Sequence, residues 1–214
     1  EKRLKNVIDA YADQTYGNWQ LCLLDANDGE ETGEFLRRKY KKEIRISYKK
    51  VTENKGDSAN LNAALKLAMG NYILFAAQET VPAPDALFWV VKAVTEKKAD
   101  MIYTDEDQIS ADEKQHYNPK FKPDFNLFRL RENNYIGEFW AVRKEVLEQT
   151  GWFSPEYDGA QNFDMLLKCS EQAQQIVHIP RILCHSMKDE GAAAPEQQQK
   201  AWEAGRTALE DHYH

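Results

Sequence analysis

Cysteine is scarce in this chain and never paired, which excludes two common frameworks. Cys22, Cys169 and Cys184 are widely spaced and no Cys-x-x-Cys occurs, so neither a zinc site nor a disulfide scaffold is expected. Reduced, mostly buried thiols in a cytoplasmic protein follow from that pattern. No run approaches the roughly 20 apolar residues that span a bilayer. Positive charge is in deficit as well: 28 Lys and Arg stand against 35 Asp and Glu, a formal net charge of -7. That balance argues against nucleic acid or an anionic membrane surface as the main partner. The opening Glu1-Lys-Arg-Leu-Lys5 lacks a signal-peptide pattern, and no repeat, low-complexity tract or linker divides the chain.

What is present is the balance of a folded domain. The 214 residues are 42% apolar and 29% charged, enough for one domain over residues 1–214 with a sizeable core. Leu4, Val7, Ile8 and Tyr11 fall at helical spacing from the first residues onward. The chain therefore opens inside a helix and reads as a piece of a longer protein. Strand and helix patterns then alternate. Trp19–Leu24 is strand-like, Thr32–Lys42 helical, Ile44–Tyr48 a strand and Asn60–Met69 a helix. Tyr72–Ala77 has the composition of a strand buried on both faces, and Pro84 opens a helix running to Lys97. The second half is less regular: Asn118–Leu130 is loop-like, Ile136–Val142 a strand, Lys144–Thr150 and Gly159–Glu171 helices, Ile176–His185 a strand and Pro195–His212 a last helix. This rhythm predicts an α/β protein with a Rossmann-like, mostly parallel sheet flanked by helices.

The segment Ala99–Ile109 concentrates charge. The apolar run Met101–Tyr103 ends in Asp105, Glu106 and Asp107. In α/β proteins ligands gather outside the carboxyl ends of strands. Acids there can hold a divalent cation, orient sugar hydroxyls or act as a base. The same residues also suit a solvated turn with a helix-capping Asp.

Five segments, in this order, carry a resemblance to a known family. They are Gln14–Asp25, Ala83–Leu87, Tyr103–Ile109, Phe121–Phe125 with Asn134–Gly137, and Ile176–Leu183. Together they resemble the family-2 glycosyltransferases, nucleotide-sugar-dependent enzymes of the A-type glycosyltransferase fold. Within that family they look like bacterial enzymes that build O-antigen, capsule and other surface polysaccharides. The resemblance implies inverting transfer of a sugar from a nucleotide-sugar, typically a UDP-sugar, to a glycan acceptor that can be lipid-linked. It implies Mg or Mn as cofactor and a cytoplasmic location, at the inner face of the membrane. A carboxylate would deprotonate the acceptor and the cation would neutralise the departing diphosphate.

Carried over residue by residue, the pattern is incomplete. Asp25 occupies the nucleoside-binding position, with Ala26 where a second acid is usual. The Asp-x-Asp metal motif falls on Ala77, Gln78 and Glu79, so the first carboxylate is missing, and Thr80 replaces a further acid. The base lies in a Gly-Ser-Gln-Asp-Tyr-Asp-Leu segment, matched here by Gly159-Ala-Gln-Asn-Phe-Asp-Met165. Its position is therefore Asn162, an amide that takes no proton at neutral pH. Asp164 remains, but two residues along a helix is about 200° around it. A structural role near the helix start suits it better. His185 matches a His that assists the metal or diphosphate. Asp105 and Asp107 read as acceptor-side or cleft-shaping residues. Phe139, Trp140 and Trp152 are candidates for stacking on a sugar or for the core.

The expected site is thus Asn162 and Asp164 for catalysis, Asp25, Ala77, Gln78, Asp105 and Asp107 for nucleotide and sugar, and Glu79 with His185 for metal. The family's first central strand, of the Val-Ser-Ile-Ile-Ile-Pro type, is absent from this chain. Two readings follow: an active transferase, or a catalytically impaired domain acting as a binding or scaffold module.

Overall fold

A computed structural model describes residues 2–110, 114–187 and 194–213; Glu1, assigned above to the first helix, lies outside them. In chain order the elements are α1 (Lys2–Ala12), β1 (Leu21–Asp25), α2 (Glu31–Lys39), β2 (Ile46–Lys50), α3 (Asp57–Leu65), β3 (Tyr72–Phe75), β4 (Thr80–Pro82) and α4 (Ala86–Lys97). They continue with β5 (Met101–Ile109), β6 (His116–Lys120), α5 (Leu127–Glu132), β7 (Trp140–Arg143), α6 (Lys144–Gln149), α7 (Gln161–Gln172), β8 (Ile176–Ser186) and α8 (Pro195–His212).

Local chemistry sets several boundaries. Lys98 ends α4 in the left-handed region, φ 55°, where its N–H reaches the Ala93 carbonyl. Asn126 starts α5 by accepting from the Arg129 N–H, so the stretch expected to be a loop contains a capped helix. It also contains most of β6, which pairs with β5. Gln14 clamps α1 to the start of α4: its amide donates to the Ala83 carbonyl at 2.7 Å and accepts from Leu87 N–H at 3.0 Å.

The strands form two sheets. The small one is the parallel pair β1–β2. The six-stranded sheet runs β3–β7–β5–β8–β4, with β6 beside β5. Only β5–β8 is parallel within it; β3–β7, β5–β7, β4–β8 and β5–β6 are antiparallel. The α/β architecture is as expected, but the sheet is mixed rather than mostly parallel. The alternating rhythm fails after β5, because β6 follows by a short connection without a crossover helix and so must run back. The strand β3 is only half-buried, not sealed on both faces, because it ends the sheet's strand order. Among the described residues no strand pairs with the open side of β1 or of β3, the place the family's first strand would take.

The large sheet is covered on both faces. On one, Met101, Tyr103, Trp140 and Val142 pack against Val146 and Leu147 of α6 and Met165, Leu166 and Cys169 of α7. On the other, Ile102, Ala141, Val177 and Ile179 meet Ala86, Val90 and Ala93 of α4. Phe139 and Trp140 are fully buried and belong to these cores; Trp152 is half-exposed. The helix α1 joins the two sheets: Val7 and Tyr11 meet Ile109 and Met187, while Ile8 meets Phe35 and Leu36 of α2.

Candidate functional site

The acids at 105–107 do not end a strand. The strand β5 continues through them to Ile109, and Asp105 and Asp107 are buried. What makes room for them is an irregularity in the neighbouring strand. Thr104 pairs with Ile179 but Asp107 pairs with His185, so β8 carries three residues more than β5 over the same stretch. The bulge begins at Pro180, which has no N–H to give a ladder, and both Pro180 and Arg181 are exposed. Its effect is to bring His185 opposite Asp107.

Each acid has its own partners. Asp105 accepts from the Lys122 backbone N–H and from His178 Nε2, both at 2.8 Å. His178 in turn stacks on Tyr103 and lies 3.5 Å from Asp124. Glu106 binds Lys122 Nζ at 2.9 Å and Lys120 Nζ at 3.1 Å. Burial pushes the Glu106 carboxyl up, but the two lysines outweigh this and hold it below the usual glutamate range. The Lys122 side chain is 4% exposed, and its Nζ also donates to the Ile136 carbonyl at 2.7 Å. Gly137 lies beneath this pair at φ +81°, a conformation that strains any other residue, and a Cβ there would stand 2.8 Å from Glu106 Oε2 and displace that carboxylate. Asp107 holds two imidazoles, His185 Nδ1 on Oδ1 at 2.5 Å and His116 Nδ1 on Oδ2 at 2.9 Å. A cleft of about 530 Å³ opens beside these groups, walled by Glu106, Asp107, Lys122, Arg129 and Asn134.

The base position is built into the framework. Asn162 Oδ1 accepts from the Trp140 indole N–H at 2.7 Å, and its Nδ2 donates to the Gly137 carbonyl at 2.8 Å. Both ends of the amide are committed. Asp164 sits buried in the first turn of α7 and meets Lys168 at 2.8 Å. Burial raises its pKa against the opposing pull of Lys168. It lines a different hollow, of about 450 Å³, between α7 and α8.

Asp25 ends β1 and its side chain is 3% exposed. Its Oδ1 accepts from the Asn27 backbone at 3.1 Å and the Asn27 amide at 2.8 Å; Oδ2 accepts from the Tyr48 hydroxyl at 2.8 Å. Burial opposes ionisation, yet these bonds and Lys50 hold its pKa low. Ala77, Gln78 and Glu79 lie in the turn between β3 and β4, where Thr80 N–H bonds the Ala77 carbonyl. The residues at this position do not suit a divalent cation. Ala77 offers no donor, and the Glu79 carboxylate is engaged by Arg3 at 2.7 Å.

The fold therefore joins Asp107 to His185 and leaves Asn162, Asp164, Asp25 and Glu79 each with separate structural partners. The sequence reading passed over His116, His178, Lys122 and Gly137. Lys122 stood in the quoted Phe121–Phe125 segment, and an Asp-x-Asp alternation inside a long strand was the available sign that Asp105 and Asp107 share a face. Both buried thiols, Cys169 and Cys184, are pushed up to about 12 by burial and stay protonated.

Comparison with known proteins identifies the family and the fold. Residues 1–151 match glycosyl transferase family 2. The chain is 31% identical over 217 residues to the O-antigen biosynthesis protein RfbC of Myxococcus xanthus, covering 99% of this chain and 17% of that protein. It is 35% identical over 215 residues to protein y4gI of Sinorhizobium fredii, covering 98% of this chain and 24% of that one. The chain thus spans less than a quarter of the length of these relatives. Among solved structures, S. aureus TarS 1–349 in complex with UDP-GlcNAc aligns with a TM-score of 0.76 at 16% identity, covering 97% of this chain and 62% of that one. Mannosyltransferase PcManGT from Pyrobaculum calidifontis, in complex with GDP-Man and Mn2+, aligns at 0.67 and 16% identity, covering 99% of this chain and 69% of that one. These likenesses establish the A-type glycosyltransferase fold, and with the family match they show that this chain belongs to glycosyl transferase family 2.

Proposed function

We propose that this domain is a non-transferring member of its family, a module that holds the substrates of polysaccharide assembly within a longer protein. The observation that carries the reading is Asn162. Its amide bridges the Trp140 indole and the Gly137 carbonyl, so the base position is filled by a structural tie. Loss of a positioned base lowers a rate by roughly 10²–10⁴-fold. The metal position supports the same reading, since Ala77 brings no ligand and Glu79 is paired with Arg3. The cleft beside Glu106 mixes charged and polar groups with apolar walls and is of a size for one or two sugar units, which suits a surface-polysaccharide glycan, lipid-linked or free. The module then works in the cytoplasm, at the inner face of the membrane.

The competing reading is inverting transfer from a UDP-sugar with Mg or Mn. One observation favours it: Glu106 lines the cleft and is ionised, a carboxylate near where an acceptor would lie. The two lysines that keep it ionised also make it a weak base. The deciding experiment incubates the chain with UDP-GlcNAc, UDP-glucose or GDP-mannose and Mn2+, and follows release of nucleoside diphosphate with and without glycan acceptors. The expected result is no release above buffer. Metal-dependent turnover that disappears in Glu106→Gln would sink the non-transferring reading.

A further inference from the structure

An acid near the end of β5, the first residue of β6 and the far end of β8 meet at one point. Asp107, His116 and His185 present their ligand atoms within 4.8 Å of one another. Each imidazole addresses a different oxygen of the same carboxylate, at 2.9 and 2.5 Å, through Nδ1. Ligand atoms sharing one first-row ion at about 2.0–2.2 Å lie about 3 Å apart, and the two nitrogen–oxygen spacings here, 2.9 and 2.5 Å, are close to that, with all three ligand atoms inside 4.8 Å. The two rings stand nearly perpendicular, 78° with centroids 4.6 Å apart, so both nitrogens converge without the rings competing for the same space. All three residues are on paired strands of one sheet. The floor is buried and the top is open: the side chain of Asp107 is 7% exposed, His185 15% and His116 49%.

We propose that Asp107, His116 and His185 form a divalent-metal site, distinct from the family's Asp-x-Asp position at Ala77–Glu79. The sequence offered His185 and the acids of β5 as metal ligands separately; Asp107 stands opposite His185 in the β5–β8 pair, and His116 comes from β6 on the other side of β5. Two imidazoles and a carboxylate favour zinc, cobalt, nickel, iron(II) or manganese(II) over magnesium and calcium, which prefer oxygen-only shells. Binding exchanges two N–H···O bonds for two metal–nitrogen bonds. A neutral imidazole can do this by keeping its proton on Nε2 instead of Nδ1, so the exchange needs no net loss of a proton. Positions not filled by protein face the open side at His116.

The test uses the tag-free chain, stripped with a chelator and titrated with Co2+, Zn2+ or Mg2+ alone. No nucleotide is present, so the outcome is independent of the transfer assay. One Co2+ per chain is expected, with visible d–d absorption, displaced by Zn2+ but not by Mg2+ at about 100-fold excess. His116→Ala should weaken Co2+ binding at least about 10-fold. It should leave the metal-free melting temperature near that of the parent, because His116 is half-exposed. Asp107→Asn, which keeps the shape and removes the charge, should abolish the Co2+ spectrum. No Co2+ bound up to millimolar concentration, an unchanged affinity in His116→Ala, or equal competition by Mg2+ would each overturn the site.

Discussion

Asn162 shows how a single atom can reassign a position. An aspartate there would keep the bond from the Trp140 indole but turn an oxygen toward the Gly137 carbonyl, where Nδ2 now donates. Restoring the family's residue should therefore not restore activity. Asn162→Asp is expected to lose about 1–3 kcal/mol of stability, read by urea unfolding, with no nucleoside diphosphate release. The Glu106–Lys122 pair gives a second residue-level prediction. Burial opposes the charge on Glu106, but Lys122 and Lys120 prevail and its folded pKa lies below the unfolded one. The stabilisation is then fully present above the unfolded glutamate value, about 4.3, and is lost as pH falls through the folded value. Glu106→Gln leaves Lys122 buried without its counter-charge and should cost about 3 kcal/mol at neutral pH. Melting curves between pH 3 and 7, taken as roughly the range of carboxylate titration, should show a shallower acid slope for this variant than for the parent.

At the scale of elements, periodic apolar patterns were legible and local irregularities were not. The helix α8 begins and ends where Pro195 and the apolar spacing predicted, and α4, α6 and α7 lie within a few residues of expectation. The strand β5 was truncated at Tyr103 because three successive acids look like an exit to solvent. They stay inside because each finds a basic or imidazole partner from β6, β8 or the following loop. Those partners are distant in sequence, so the pattern of one segment alone carries no sign of them. The same limit hid the function of the site. Asn162 was visible as a missing base, but its two hydrogen bonds join α7 to β7 and to the loop before it, and only the fold puts them together. The helix α5 was missed for a simpler reason: six residues give too little periodicity to distinguish it from a loop, although its Asn126 cap was present.

The whole molecule is stabilised unevenly. The large sheet has buried side chains on both faces, whereas β1 and β2 are half-buried and, among the described residues, pair only with each other. Small, partly solvated sheets open at lower free energy than core strands. Native-state hydrogen exchange should accordingly protect the Met101–Asp105 amides at least about 10-fold better than those of Leu21–Leu24. Equal protection would mean that the two sheets unfold as one cooperative unit. The link between them is α1, through Val7 and Tyr11 on one side and Ile8 on the other.

The bulge of β8 has a consequence for how such a domain can change over generations. Because side chains alternate along a strand, an odd surplus of residues reverses every face beyond it. The three-residue surplus starting at Pro180 decides that a histidine, rather than Ile182, stands opposite Asp107. Pro180 and Arg181 are exposed, and the pairing of Met101–Thr104 with Ile176–Ile179 lies upstream of them. A short deletion or duplication there would exchange the neighbour of Asp107 while sparing that upstream ladder. Chemistry at this spot can be gained or lost by a change in length, with no substitution at any ligand.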